Sequence, residues 1–195
     1  MVSLWSVKNY LRHRFKATTR HGLHSPFVYR LVDKVIYDHD AKKVYPEIGK
    51  VRPDAKNASK SPKLDQLIYR LVADLKPDNL IELGQLSEIT KLYLQKASPG
   101  AKVYRDINNS PAKLDFVLIN GIEEAQTIKY FQQCLPKVHE STMLVINGIY
   151  HNKGSKQAWT EIKANPKVAV TIDLFWIGLV FFRSGQVRED FLIRL

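Results

Sequence analysis

Apolar positions recur at helical spacing, then at strand spacing, along most of this chain. Leu4, Val7, Leu11 and Phe15 return every three to four residues, with Lys8, Arg12, Arg14 and Lys16 on other faces. That is the pattern of a short amphipathic helix. A second helix is predicted near His24-Ser25-Pro26, with Ser25 as N-cap and Pro26 at the first helical position. Phe27, Val28, Leu31, Val32, Val35 and Ile36 form its apolar side. Both stripes predict docking through Leu4, Leu11, Phe15, Phe27, Val28 and Leu31, leaving Lys8, Arg12, Arg14 and Arg20 exposed. Residues 38–62 are polar and Lys-rich and hold three prolines. They read as a linker or an exposed irregular segment.

From Ser61-Pro62 the pattern changes. Leu64, Leu67, Ile68, Leu71, Val72 and Leu75 mark a strong helix closed by Lys76-Pro77. Strand Leu80–Leu83 and helix Ile89–Lys96 follow, then a weak strand at Lys102–Ile107. Strand Phe116–Ile119 is apolar throughout, as a buried parallel strand should be. Helix Glu123–Leu135, strand Met143–Ile146 and helix Ser155–Ala164 come next. The end reads as an antiparallel meander of Val168–Phe175, Gly178–Arg183 and Phe191–Leu195. Alternating strands and helices with a closing hairpin predict a mostly parallel α/β sheet with antiparallel C-terminal strands. The chain divides into a basic helical segment and linker, 1–60, and an α/β domain, 61–195.

One connection is short. About seven residues separate Ile107 from Asp115, whereas a parallel crossover with a helix needs a dozen or more. One wing of the sheet is therefore expected to be reduced, with at most one short strand beyond the strand carrying Glu82.

Charge sharpens the division. Residues 1–62 hold 13 Lys/Arg against 5 Asp/Glu, and the net charge of the chain is +11. A basic front suits weak, non-specific binding of polyanions such as RNA, or a plain solvated face. Residues 1–30 also have the composition of a mitochondrial transit peptide, but a capped second helix behind them argues for a folded element. No signal peptide or membrane span is apparent, and a cytoplasmic location is expected. The lone Cys134, among Tyr130, Phe131 and Leu135, reads as a small buried apolar residue.

The most informative segment is Asn79–Glu88, Asn-Leu-Ile-Glu-Leu-Gly-Gln-Leu-Ser-Glu. A short strand ends in Glu82 and Gly84 and leads to a helix. Doubly wound proteins build nucleotide-type pockets in this way. Further glycines are wanted there, yet Gln85, Leu86, Ser87 and Glu88 follow.

Together with HGLHSPFVYRLV (21–32), PDNLIELG (77–84), TIKYFQQCLPK (127–137), AWTEIK (158–163) and VTIDLFWIGLVFFR (170–183), this order of elements resembles the class I S-adenosylmethionine (SAM)-dependent methyltransferases. The likeness is to a bacterial, Bacteroidetes-type group with a similar helical front. It implies a Rossmann-like sheet with N-terminal helices, SAM as cofactor, and an acceptor substrate the sequence does not name. It also implies a cofactor pocket lined by Glu82, Gly84, Asn120, Asn147 and Tyr150, with Asp106 as the acid for the ribose hydroxyls. The departures are specific. Gln85, Leu86 and Glu88 stand where small residues are expected. Asn120-Gly121-Ile122 and Asn147-Gly148-Ile149-Tyr150 carry amides where metal-binding relatives carry acids, which argues against a metal. No catalytic residue is defined. His151 is the best-placed candidate base, though it also reads as a solvated loop histidine. His21 and His24 read more naturally as capping or packing residues. Three functions stay open: a methyltransferase-like protein with an eroded cofactor site, a possible pseudoenzyme; a non-catalytic binding or scaffold protein that keeps the fold; and, more weakly, an RNA-associated protein using the basic front.

Overall fold

Seven strands form one sheet: β1 (Asn79–Leu83), β2 (Lys102–Tyr104), β3 (Phe116–Asn120), β4 (Met143–Asn147), β5 (Val170–Asp173), β6 (Ile177–Phe181) and β7 (Glu189–Leu192). Their order is β2-β1-β3-β4-β6-β5-β7. The computed structural model describes residues 4–51, 61–120 and 123–195. The chain forms two compact units, one of Met1–Gly22, Asn79–Gly84 and Val103–Leu195, the other of Leu23–Asp78 and Gln85–Lys102.

In the first unit β1, β3 and β4 run parallel, in the register Leu80↔Phe116 and Phe116↔Met143. β3 and β4 are buried at every position but their terminal asparagines, which explains their unbroken apolar sequences. Helices α6 (Glu124–Cys134) and α7 (Lys153–Ala164) follow β3 and β4. Phe131, Cys134, Trp159 and Ile162 from these helices share one core with Ile81, Val117, Ile119, Leu144, Ile146 and Val180. Gly178 fits this packing. A Cβ there would lie 2.6 Å from the ring of Trp159, so the bare backbone makes room for the indole.

The reduced wing is as expected. β2 has three residues and is the outermost strand beside β1, and a single 3-10 turn (Ile107–Asn109) lies between it and β3. The last strand corrects the expected meander. β6 already has β4 on one side and β5 on the other, both antiparallel. No edge of β6 is left for β7. Instead β7 joins the outer edge of β5 and runs parallel to it, with Val170↔Glu189 and Asp173↔Leu192. The link from β6 to β7 crosses two strand spacings, roughly 10 Å.

The N-terminal helix α1 (Leu4–Lys16) brings a second correction. Its buried residues are Asn9 and His13. Leu4, Leu11 and Phe15, expected to dock, are exposed. The polar face turns inward because its groups find partners. Asn9 donates to the Trp5 carbonyl and accepts from Lys156 Nζ at 2.9 Å, and His13 meets Asp173. Beyond α1, the Thr18 N–H donates to the Leu192 carbonyl and the Arg194 N–H donates to the Thr18 carbonyl.

The second unit is helical. α2 (Pro26–Leu31) starts as predicted, with the Ser25 hydroxyl accepting from the Val28 N–H, and runs into a π-helical turn, Val32–Ile36. Val28 and Leu31 are buried. The segment read as linker contains a further helix, α3 (Val44–Gly49). Val44 and Ile48 bury against Ile89 and Tyr93, giving this short helix an apolar side. The rest of that segment, 52–60, lies outside the described residues. α4 (Pro62–Leu75) ends at Lys76 in the left-handed region (φ 53°), just before Pro77. Its Arg70 donates to the carbonyls of Val35 and Ile36, satisfying the end of the π turn. α5 (Glu88–Ala97) is capped by Ser87, and its Thr90 hydroxyl donates to the buried Asp65 of α4 at 2.7 Å.

Candidate functional site

Ligands of open α/β sheets bind at the carboxyl ends of the strands. At that edge lie Glu82 of β1 and Gly84 just after it. Glu82 is 5% exposed and accepts a hydrogen bond from Arg105 Nε at 3.1 Å. A buried carboxylate needs such a partner, because desolvating an unpaired charge is costly. Gly84 has φ +88°, and a Cβ there would lie 2.9 Å from the Asn120 carbonyl oxygen. The glycine therefore lets the end of β1 approach the end of β3. Asn120 and Asn147 sit opposite one another at the ends of β3 and β4, and Asn147 Nδ2 donates to Asn120 Oδ1 at 2.9 Å. Gly121 and Ile122 lie outside the described residues.

Asp106 stands apart from this group. It is exposed and caps the 3-10 turn, accepting from the Asn108 N–H and from Asn109 Nδ2. Its neighbour Arg105 is the residue that reaches Glu82. His151 is exposed, in the turn after β4, where its N–H donates to the Gly148 carbonyl. His21 lies in a 3-10 turn, exposed, and His24 is exposed just before the Ser25 cap. In α5, Glu88 pairs with Lys91 at 2.7 Å.

Tyr150 is drawn into a different cluster, centred on Asp173 at the carboxyl end of β5. Oδ2 of Asp173 accepts from the Tyr150 hydroxyl at 3.0 Å and from Trp159 Nε1 at 2.9 Å. Oδ1 accepts from the Phe175 N–H at 2.9 Å and faces His13 Nε2 at 3.0 Å. Three donors converge on the carboxylate, and His13 Nε2 lies between it and the Asp173 carbonyl oxygen, 3.2 Å away. Asp173 is thus a structural hub. Phe175 pays for its place with a left-handed backbone (φ +70°). Its ring stacks on Tyr150 at 4.8 Å and meets His13 edge-on at 5.6 Å. Burial, aided by the Asp173 charge, raises the Tyr150 phenol well above its ordinary pKa. This hub was not anticipated. The one sequence signal for it is a lone acid, Asp173, inside the apolar run 168–182.

Among the described residues, no three His, Cys, Asp or Glu side chains form a group that could hold a metal ion. No helix of the described residues is long and apolar enough to cross a membrane.

No family model matches the sequence, and no curated protein matches it either. Solved structures do. An O-methyltransferase from Bacillus cereus in complex with SAH superposes with a TM-score of 0.54 at 15% identity, over 79% of this chain and 96% of that one. TomG, an O-methyltransferase from Streptomyces achromogenes involved in tomaymycin synthesis and solved with SAM, gives 0.53 at 12% identity, over 80% and 95%. The SAH-bound methyltransferase PaMTH1 from Podospora anserina gives 0.52 at 11% identity, over 92% and 95%. At such identities the likeness is one of architecture. The chain has the Rossmann-like fold of the SAM-dependent O-methyltransferases, with seven strands in a mixed sheet and helices ahead of it.

Proposed function

We propose that this chain is a methyltransferase-like protein whose cofactor site is closed on itself, so that SAM binds weakly or not at all. The observation that carries this reading is the ion pair between Glu82 and Arg105. The carboxylate that the resemblance assigns to the cofactor is already engaged by a side chain of the same chain. Two further features support it. The space beside Gly84 is filled by the Asn120 backbone, and Asp106, the acid assigned to the ribose, is used as a cap. In sequence, Gln85, Leu86 and Glu88 add bulk and negative charge to the turn that should bring backbone close to the cofactor. These residues do not fit SAM as they stand. His151 keeps its place as the candidate base only if a pocket opens. The acceptor stays unnamed, and the amide pair Asn120–Asn147 offers a divalent cation no carboxylate.

Calorimetric titration with SAM and SAH tests the reading. Heats too weak to fit are expected. A clear dissociation constant in the low micromolar range would overturn it and restore a working transferase.

A further inference from the structure

α1 is turned inside out relative to its own pattern. Leu4 is 89% exposed, Phe15 85%, Leu11 48% and Val7 41%, while Asn9 and His13 are buried. The hydrogen bonds of Asn9 to Lys156 and of His13 to Asp173 fix this orientation. At the helical period the four apolar side chains fall within an arc of about 80°. Lys8 and Arg12 flank the arc on one side and Arg14 on the other, all exposed. Residues 4–32 contain no Asp or Glu. On the Arg14 side, Tyr10 lies 6.1 Å from Trp176, itself 48% exposed, and the two share a small depression with Arg14 and Leu195.

An apolar stripe held outward and rimmed by cations, with a Trp and a Tyr at its margin, is the surface of a helix lying in a lipid interface. We propose that α1 is an in-plane anchor for a bilayer rich in anionic lipid. Leu4, Val7, Leu11 and Phe15 enter the boundary between headgroups and acyl chains, and Lys8, Arg12 and Arg14 meet lipid phosphates. RNA would use the cations and leave the apolar stripe in water. A second copy docking through the same stripe would bring the two cationic rims together with no acid on either helix to offset them. An anionic bilayer satisfies both features at once.

The test is sedimentation with vesicles of phosphatidylcholine alone and with phosphatidylserine added to about a third of the lipid. The intact chain is expected to sediment with the anionic vesicles, with a blue shift of tryptophan emission, and not with neutral ones. Leu11→Glu with Phe15→Glu should weaken this at least tenfold. Circular dichroism and the melting temperature should not change, because those side chains are exposed. Each of Lys8, Arg12 and Arg14 changed to Gln should cost about fivefold, and added salt should weaken binding further. Three results would overturn the proposal. One is no association with anionic vesicles at low salt. Another is binding to RNA, but not to vesicles, that the Glu variants leave intact. The third is a dimer in sedimentation velocity that the Glu variants dissociate while vesicles go unbound.

Discussion

His13 and Asp173 stand 160 positions apart in the chain and meet with Nε2 3.0 Å from Oδ1, both side chains almost fully buried. The pair joins α1 to the end of β5. Asp173 also serves Tyr150, Trp159 and the Phe175 N–H. Removing the carboxylate orphans three donors and takes the ion-pair partner of His13, whose Nε2 keeps the Asp173 carbonyl at 3.2 Å, whereas removing the imidazole takes one partner from Asp173. Asp173→Ala should therefore cost about 3–5 kcal/mol of stability, and His13→Ala about 1–3 kcal/mol. Denaturant unfolding of both variants measures this. Equal losses would mean that the aspartate is no hub.

Tyr150 predicts an alkaline effect. Burial first, then Asp173, raises its phenol above the ordinary value. At neutral pH both states hold the proton. As pH passes about 10, the unfolded chain loses it first and stability falls. Tyr150→Phe should lose about 1 kcal/mol at pH 7. Above pH 10 its stability should decline less steeply than that of the parent. Parallel pH profiles for the two proteins would remove this assignment.

Cys134 is buried, and burial pushes its thiol up to about 12 against a smaller opposing effect of Lys137. The thiolate is the reactive form. At pH 8 the folded protein should resist a thiol reagent and the unfolded protein should react at once. Rapid stoichiometric labelling without unfolding would contradict the packing.

Gly178→Ala would push a methyl into the Trp159 ring, which is 1% exposed and has little room to move. Overpacking of this kind costs about 1–3 kcal/mol or more. A thermal melt checks it, and an unchanged melting temperature would show that the indole yields.

Arg105→Gln combined with Glu88→Gly frees Glu82 and removes the negative side chain from the first residue of α5. SAM affinity should rise at least tenfold over the parent chain, read by calorimetry. No gain would show that neither Arg105 nor Glu88 is what holds the cofactor off.

The sheet was legible because its central strands carry uninterrupted apolar residues and several of its helices stop at prolines, Pro77, Pro99 and Pro166. The reduced wing followed from chain length alone, since seven residues cannot cross over with a helix. Two things were not legible. Periodicity tells that α1 has an apolar face but not which way that face points, and here Asn9 and His13 decided it through partners far along the chain. Strand pairing at the end of the sheet was also hidden, because β7 follows β6 in sequence but finds its free edge on β5. Of the candidate site, strand ends such as Asn120 and Asn147 could be placed from the pattern. Arg105, which takes Glu82, could not, since nothing in sequence marks a charge partner at the end of the neighbouring strand. Val44 and Ile48, four apart in a Lys-rich segment, were the one hint of α3.

The clasp of Thr18 onto Leu192 and Arg194 bears on how the molecule assembles. Its partners are among the most distant in the chain, and closing so long a loop is slow and entropically costly until the intervening structure exists. The sheet through β5 and β7 must stand before α1 has anything to grip. In folding, α1 therefore keeps its polar face in water until β5 and β7 are in place to receive it.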